Sequence, residues 1–439
     1  KSTETIWASP LVRLPFGTLE LTWHFEHYFP FVSQRFASLS RVEQFSTEPT
    51  YADLVAHFWT PTAFEQRLEI LAKLGLENKG EIPSLLAVLV EPSPNSLRSL
   101  EEWATYEDSE LFLEPNWIVG AHSLAAQQAN YPWYLKYVRI PEAHNITTGS
   151  HDVRIAILDT GLNSSRLGSG VNELQGYNFI DKDKPFDTTD DHQTIDAQFH
   201  GTTIAQSIEL VMPDVSIQPV KVLDNKGNGN VFQLAEGLLY AAGKHDTVHN
   251  PTPAQIINMS LGAEHINAGE ISQLLAGVKR VLQGGDALLV AASGNWSSSS
   301  VAYPAAFPEV LAVGAISPSQ WGPERAYYSN YGEGLDLVAP PTFQEGTSFA
   351  TAIVSGVAGL MLSNKVSLGE IREILTRTAM DLGTPGYDVE YGYGLVNAHW
   401  AVLGIATVSL ELLAEGHSVF KQKIPLRRSS QELLLPPGE

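Results

Sequence analysis

The 439-residue chain contains no cysteine. That excludes a disulfide scaffold, a thiol nucleophile and any cysteine metal ligand, and says little about compartment. Positive charge is scarce: 27 Lys and Arg stand against 49 Asp and Glu, a formal charge of −22. So acidic a surface argues against nucleic acid as a partner and is repelled by anionic membranes. Long apolar runs are missing too. The longest, from Ile353 to Leu362, falls short of the roughly 18 residues of a spanning helix, so no membrane span is expected. No repeat of fixed period is present. The first residue is Lys1, with no basic-then-apolar leader after it, so the sequence is expected to start inside a longer precursor or at an artificial boundary. What is present is ordinary globular material with 44% hydrophobic residues, enough for a sizeable core and two or three domains.

Three short segments carry chemistry. Gly346-Thr347-Ser348-Phe349-Ala350-Thr351-Ala352 opens the apolar run Ile353 to Leu362. Small residues there surround one serine where a polar loop becomes a helix. A hydroxyl at that point sits in the field of the helix N-terminus, whose free N–H groups favour developing negative charge. Alone, the same residues also read as an ordinary N-cap. Val153 to Leu158 is a short apolar run of strand type that ends in Asp159-Thr160-Gly161, which puts a carboxylate at the strand's C-terminal edge. Ligand chemistry collects at that edge in open parallel sheets. Phe199-His200-Gly201-Thr202-Thr203 then places a histidine at the start of a second helix. Singly, Asp159 is a turn residue and His200 one of 13 histidines. Together they form an Asp, His, Ser series, each in a small-residue setting at an element boundary.

That order and those motifs resemble the subtilisin-like serine proteases, the subtilases, for which the same chain order is known. The resemblance runs from about Tyr131 to about Trp400 and implies a serine endopeptidase with a mainly parallel α/β sheet flanked by helices. In it Ser348 attacks the peptide carbonyl, His200 takes and later returns the proton, and Asp159 orients the imidazole. Asn295, at the end of Ala291-Ala292-Ser293-Gly294-Asn295, matches the family's oxyanion asparagine. Ser260, Leu261 and Gly262 match one wall of the pocket for the residue before the cut bond, and Ala292, Ser293 and Gly294 the other. Gly227 and Gly229 flank the loop that pairs with extended substrate, and Ala302 stands at the pocket base where many relatives have glycine. With no acidic residue in these segments, a medium-to-large apolar side chain is expected there rather than Arg or Lys. Thr203 stands where a second histidine is usual and Ala352 where proline is usual; neither removes a triad atom. A catalytically silent, peptide-binding pseudoprotease is the alternative reading, against which the complete set Asp159, His200, Asn295 and Ser348 argues. An acid-active sedolisin-like enzyme would carry glutamate where His200 stands.

The resemblance requires no cofactor. The short stretch after His200 lacks the insertion that forms a strong calcium site in many bacterial subtilisins. An acidic run before His200 makes Asp181, Asp183 and Asp187 the weak candidates for a structural calcium ion, against a solvated acidic loop as the other reading.

Along the chain, residues 1–50 read as a β-rich extension of unknown role, with apolar and polar residues alternating from Leu19 to Glu26. Residues 51–119 read as a small α+β, ferredoxin-like unit similar to the inhibitory prodomain of subtilases. The capping pattern Thr62-Ala63-Phe64-Glu65 predicts a helix with Phe64, Leu68 and Leu71 on one face, ended by Gly75. A strand follows near 85–90, a short helix at 96–103, and an edge strand at 111–119 interrupted by Pro115. Residues 120–132 are a polar linker. Residues 133–402 form the catalytic domain, with strands near 215–223, 255–261, 287–293 and 310–316 and helices near 232–242, 270–283 and 348–363, an alternation that implies a parallel sheet covered on both faces. Residues 403–439 are a C-terminal extension with loose β character. The expected partners are protein or peptide substrates and the chain's own N-terminal prodomain, made as part of a zymogen and acting in a secreted or periplasmic setting.

Overall fold

The computed structural model describes residues 51–58, 64–92, 103, 106, 111–120, 133–193, 199–263, 287–319, 322–404, 406–414, 417–428 and 433–434. The alternating segment at 19–26, the linker at 121–132, the helix at 270–283 and most of that at 96–103 lie outside the described residues.

The N-terminal unit runs β1 (Tyr51–Phe58), α1 (Phe64–Leu74), β2 (Leu76–Ile82), β3 (Ala87–Pro92), β4 (Leu111–Gly120). Its strands are antiparallel in the order β2-β3-β1-β4, the order of a ferredoxin-like sheet. Leu54, Ala56, Ile70, Leu71, Val88 and Val90 bury themselves in its own small core. The buried face of α1 is turned from the expected one. Phe64 is 48% exposed, and Arg67 lies inside instead because its guanidinium pairs with Glu81 of β2. Pro115 sits opposite Leu54. β4 is not the edge strand expected from its proline, because it lies between β1 and the strand Asn228–Asn230 of the larger unit, which it meets beyond Pro115 at residues 118–120.

The larger unit carries β5 (Gly149–Asp159), β6 (Val171–Glu173), β7 (Tyr177–Asn178), β8 (Asp214–Lys221), β9 (Asn228–Asn230), β10 (Ile256–Met259), β11 (Leu288–Ala292), β12 (Val310–Ser319), β13 (Gly322–Arg325) and β14 (Leu337–Ala339). All of these except β9 join one sheet, with the path β13-β12-β11-β10-β5-β8-β6, and β14 and β7 attached to β12 and β8. Every pairing in it is parallel except β12 with β13. Its helices are α2 (Trp133–Tyr137), α3 (Ile140–His144), α4 (His200–Val211), α5 (Val231–Ala241), α6 (Thr347–Ser363), α7 (Ile371–Thr378) and α8 (Ala398–Leu403). Strands covered on both faces read as apolar runs, not alternations; all four residues of β10 are buried. α6 is buried from Thr347 to Met361, which explains why its sequence is apolar all round.

Because β5, β10 and β11 are adjacent and parallel, with Ile257 beside both Ala156 and Leu289, their C-terminal ends reach one edge together. Asp159, Ser260 and Asn295 follow from those three ends. Beyond residue 405, β15 (Ala406–Ala414), β16 (His417–Arg428) and β17 (Leu433–Leu434) form a separate antiparallel sheet. Among the described residues, no helix is long and apolar enough to cross a membrane.

The two units are joined through β9. It pairs antiparallel with the end of β4, Ile118 opposite Asn230, Val119 opposite Gly229 and Gly120 opposite Asn228. Asn116 Oδ1 accepts from the backbone N–H of Phe232 at 3.0 Å, in the first turn of α5. That turn's own cap, Asn230 with Gln233, satisfies a different N–H, so the N-terminal unit supplies one of the four orphan donors. Ser84 donates to Asp246 through both its N–H and its hydroxyl. Val55, Ile82 and Ala87 are continuous with the core of the larger unit.

Candidate active site

Asp159 is the last residue of β5 and is fully buried. Its Oδ1 accepts from the Thr160 N–H and meets His200 Nδ1, each at 2.8 Å. His200 begins α4 because Phe199 turns the chain in the left-handed region, φ 55°; the Arg166 guanidinium stacks on the Phe199 ring at 4.1 Å. The imidazole is 1% exposed. Burial pushes its pKa down, but the charge of Asp159, their hydrogen bond and the charge of Asp190 outweigh burial and hold it above its ordinary value. With Nδ1 committed to Asp159, Nε2 is the atom for proton transfer, and it is buried with no hydrogen-bond partner. The ring of Phe349, the residue after Ser348, lies 5.6 Å from the His200 ring.

Ser348 stands in the first turn of α6, 2% exposed. Its hydroxyl donates to the Ser260 carbonyl at 3.0 Å, and the Ser260 hydroxyl donates back to the Ser348 carbonyl at 2.8 Å. Asn258 and Ser355 extend this clasp between β10 and α6. In this state the Ser348 hydroxyl therefore bonds Ser260, not His200. Such bonds are often loose before substrate arrives.

Asn295 Oδ1 accepts from both the N–H and the hydroxyl of Thr347, each at 2.9 Å. Two donors on one oxygen fix which end of the amide is which, so its NH₂ belongs to the opposite side. Gly294 has φ +109°, with a hypothetical Cβ 2.4 Å from Asn330 Nδ2 and 2.7 Å from the Trp296 ring, so only glycine fits before Asn295.

A small apolar cavity beside Ser348 is lined by Leu261, Gly262, Ala292, Gly294, Asn295, Trp296, Thr347 and Ser348. Ser260 and Ser293 are turned away from it, to Ser348 and to the Asn330 carbonyl. Ala302 lies behind, its N–H on the Ser293 carbonyl and its Cβ 3.4 Å from where a Gly262 Cβ would be. Gly227 and Gly229 bracket Asn228 on β9, at the end of β4. Sequence reasoning passed over Trp296 and Thr347; the only signal for either was adjacency to a named residue.

Asp187 does not join the other two calcium candidates. Asp181 and Asp183 line a cavity with Lys79, Lys182 and Glu236, while Asp187 is tied to Thr189, whose hydrogen bonds lower its pKa. Among the described residues no three potential metal ligands cluster. Asp190, from the same run, is buried and bonded to Thr160 and Thr202.

A family model described as the subtilase family matches residues 150–394. M-protease of Shouchella clausii is 31% identical over 346 residues, covering 73% of this chain and 80% of that protein. Subtilisin Savinase of Lederbergia lenta is 33% identical over 293 residues, covering 62% of this chain and 98% of its own. Alkaline elastase YaB of a Bacillus strain is 33% identical over 296 residues, covering 62% and 70%. An aspartate–histidine pair buried at the sheet edge, a serine opening a buried helix and these likenesses agree: the chain belongs to the subtilase family and is a subtilisin-like serine endopeptidase.

Proposed function

We propose that Asp159, His200 and Ser348 are the catalytic triad of this endopeptidase and Asn295 its oxyanion donor. The observation that carries the assignment is the buried 2.8 Å bond between His200 Nδ1 and Asp159 Oδ1 with Nε2 left unpaired. Redirected to Nε2, the Ser348 hydroxyl gives up its proton as its oxygen attacks the peptide carbonyl. The imidazolium formed is held by Asp159. The carbonyl oxygen becomes an oxyanion beside the Asn295 amide and the first N–H groups of α6. His200 then protonates the leaving amine, and water repeats the sequence on the acyl-enzyme. Ser348→Ala tests this: hydrolysis is expected to vanish while the fold persists.

Substrate is read as an extended strand added to β9 around Gly227 and Gly229, with one apolar side chain in the cavity by Ser348. The lining holds no acid, which supports an apolar residue over Arg or Lys. Trp296 in the wall and Ala302 behind it favour a smaller side chain than the sequence suggests.

The N-terminal unit, residues 51–119, is read as an inhibitory prodomain. Its β4 occupies the strand edge that substrate would use, and tethering raises its effective concentration. Cleavage in the linker 120–132 would release it, in a secreted or periplasmic setting. Mass spectrometry of the purified full chain tests this: the active protein is expected to be cut there and the Ser348→Ala protein to stay whole. No step above calls on a metal; loss of activity on chelation would point to a structural calcium ion, with Asp181, Asp183 and Asp187 the first residues to replace.

A further inference from the structure

We propose that Asp190 is a positioning residue for the His200–Asp159 pair, a second buried carboxylate that clamps the turn after Asp159 to the first turn of α4. Its side chain is 1% exposed. Oδ1 accepts from the Thr160 hydroxyl at 2.9 Å and from the His192 N–H at 3.2 Å. Oδ2 accepts from the Thr202 N–H at 2.8 Å and from the Thr202 hydroxyl at 2.6 Å. Thr160 follows Asp159 in the chain, and Thr202 lies two residues after His200. The Thr160 hydroxyl also accepts from the Gly201 N–H at 2.9 Å, so the clasp closes around both partners.

The chemistry of the contacts requires a carboxylate. Each oxygen receives a backbone N–H, which cannot reverse its role, so an amide would present an NH₂ group to at least one donor. Among the described residues no cation pairs with Asp190: Lys221 Nζ is bonded to Asp191 Oδ1 and to the Thr160 carbonyl. A buried carboxylate held only by neutral donors is costly for a purely structural role. Next to an imidazole that must become imidazolium, it acts on the reaction.

The charged groups that act on His200 are Asp159 from β5 and Asp190 from the loop before α4; His192 of the same loop packs beside it, and Lys221 at the end of β8 acts on His192. His192 accepts the His200 N–H on its Nδ1 at 3.3 Å; burial, then the charge of His200, keeps its pKa low. Burial opposes a proton on His200, and the two carboxylates favour it.

The proposal rests on His200 being the general base, and the test separates the two. In Ser348→Ala, residual hydrolysis near wild type would sink the triad itself. With the triad standing, Asp190→Asn in the full chain is expected to lower kcat about ten- to a hundredfold with KM within about threefold. The acid limb of its kcat/KM profile should move down by about one pH unit, as the loss of a nearby carboxylate lowers the imidazole pKa. Thr160→Val keeps the charge and removes two bonds, that to Asp190 and that from the Gly201 N–H; kcat should fall about three- to tenfold with the acid limb in place. An Asp190→Asn limb that superimposes on wild type overturns the proposal, whatever happens to kcat or melting temperature. Should Asp190→Asn fail to fold, Thr160→Val and Thr202→Val decide: unchanged kcat in both overturns it.

Discussion

Gly201→Ala puts the geometry of the site to a quantitative test. In most helices this change is favourable by up to about 1 kcal/mol. Here a Cβ on residue 201 would lie 2.3 Å from the Gly161 carbonyl oxygen and 3.1 Å from the Asp159 Cβ, about 1 Å inside the 3.4 Å at which ordinary contact begins. The obstacle is backbone, not the end of a flexible side chain, so α4 must back away from the turn after Asp159. Overpacking of this kind costs about 1–3 kcal/mol, more than propensity returns, so stability should fall. The larger effect is on rate. His200 is the neighbour of residue 201, and a displacement near 1 Å costs about a hundredfold in a positioned reaction. Steady-state hydrolysis of a chromogenic peptide by the mature protein should show kcat down about a hundredfold and KM little changed, since β9 and the cavity are untouched. A kcat within threefold of wild type, with unchanged or raised melting temperature, would refute the reasoning.

Ser348→Ala should reduce kcat by about 10⁶, a scale borrowed from subtilisin itself rather than worked from this structure, and Asn295→Ala by about 10²–10³, because the helix N–H donors remain; stopped assays on purified variants check both. Activity should fall on acidification from above pH 6.5, because burial lowers the His200 pKa less than Asp159 and Asp190 raise it and only neutral imidazole is a base; a kcat/KM profile flat to pH 5 would contradict this. Stability runs the other way. The protonated imidazole's contribution is fully present below the unfolded value near 6.5 and is lost as pH rises through the raised folded value, which pH-dependent denaturation would reveal. Asn116→Ala removes a cap from α5 worth about 1 kcal/mol, so inhibition by the N-terminal unit should weaken about fivefold, read as faster appearance of activity after purification.

Asp159, His200, Asn295 and Ser348 each lie at an element boundary among small residues, and such boundaries are local signals. The parallel sheet was legible because strands buried on both faces are continuous apolar runs. α1 was misjudged on its buried face: periodicity placed Phe64 inside, but the long-range pair of Arg67 with Glu81 turned the helix. β2 gave little signal, since it reads Leu-Glu-Asn-Lys-Gly-Glu-Ile and is stabilised by pairing with β3 rather than by alternation. Asp190 was hidden among five other aspartates before His200, because only the fold reveals which carboxylate lies beneath Thr160 and Thr202. The Ser348 bond to Ser260 joins residues 88 apart in the chain, and no spacing rule could have found it.

The most direct test of the central claim is covalent capture of the nucleophile. Purified mature protein is treated with a fluorophosphonate and the modified peptide is mapped by mass spectrometry. The account predicts one rapid modification, on Ser348, lost in His200→Ala and accompanied by complete inactivation. Rapid labelling of a different serine, or full activity with Ser348 unmodified, would contradict it.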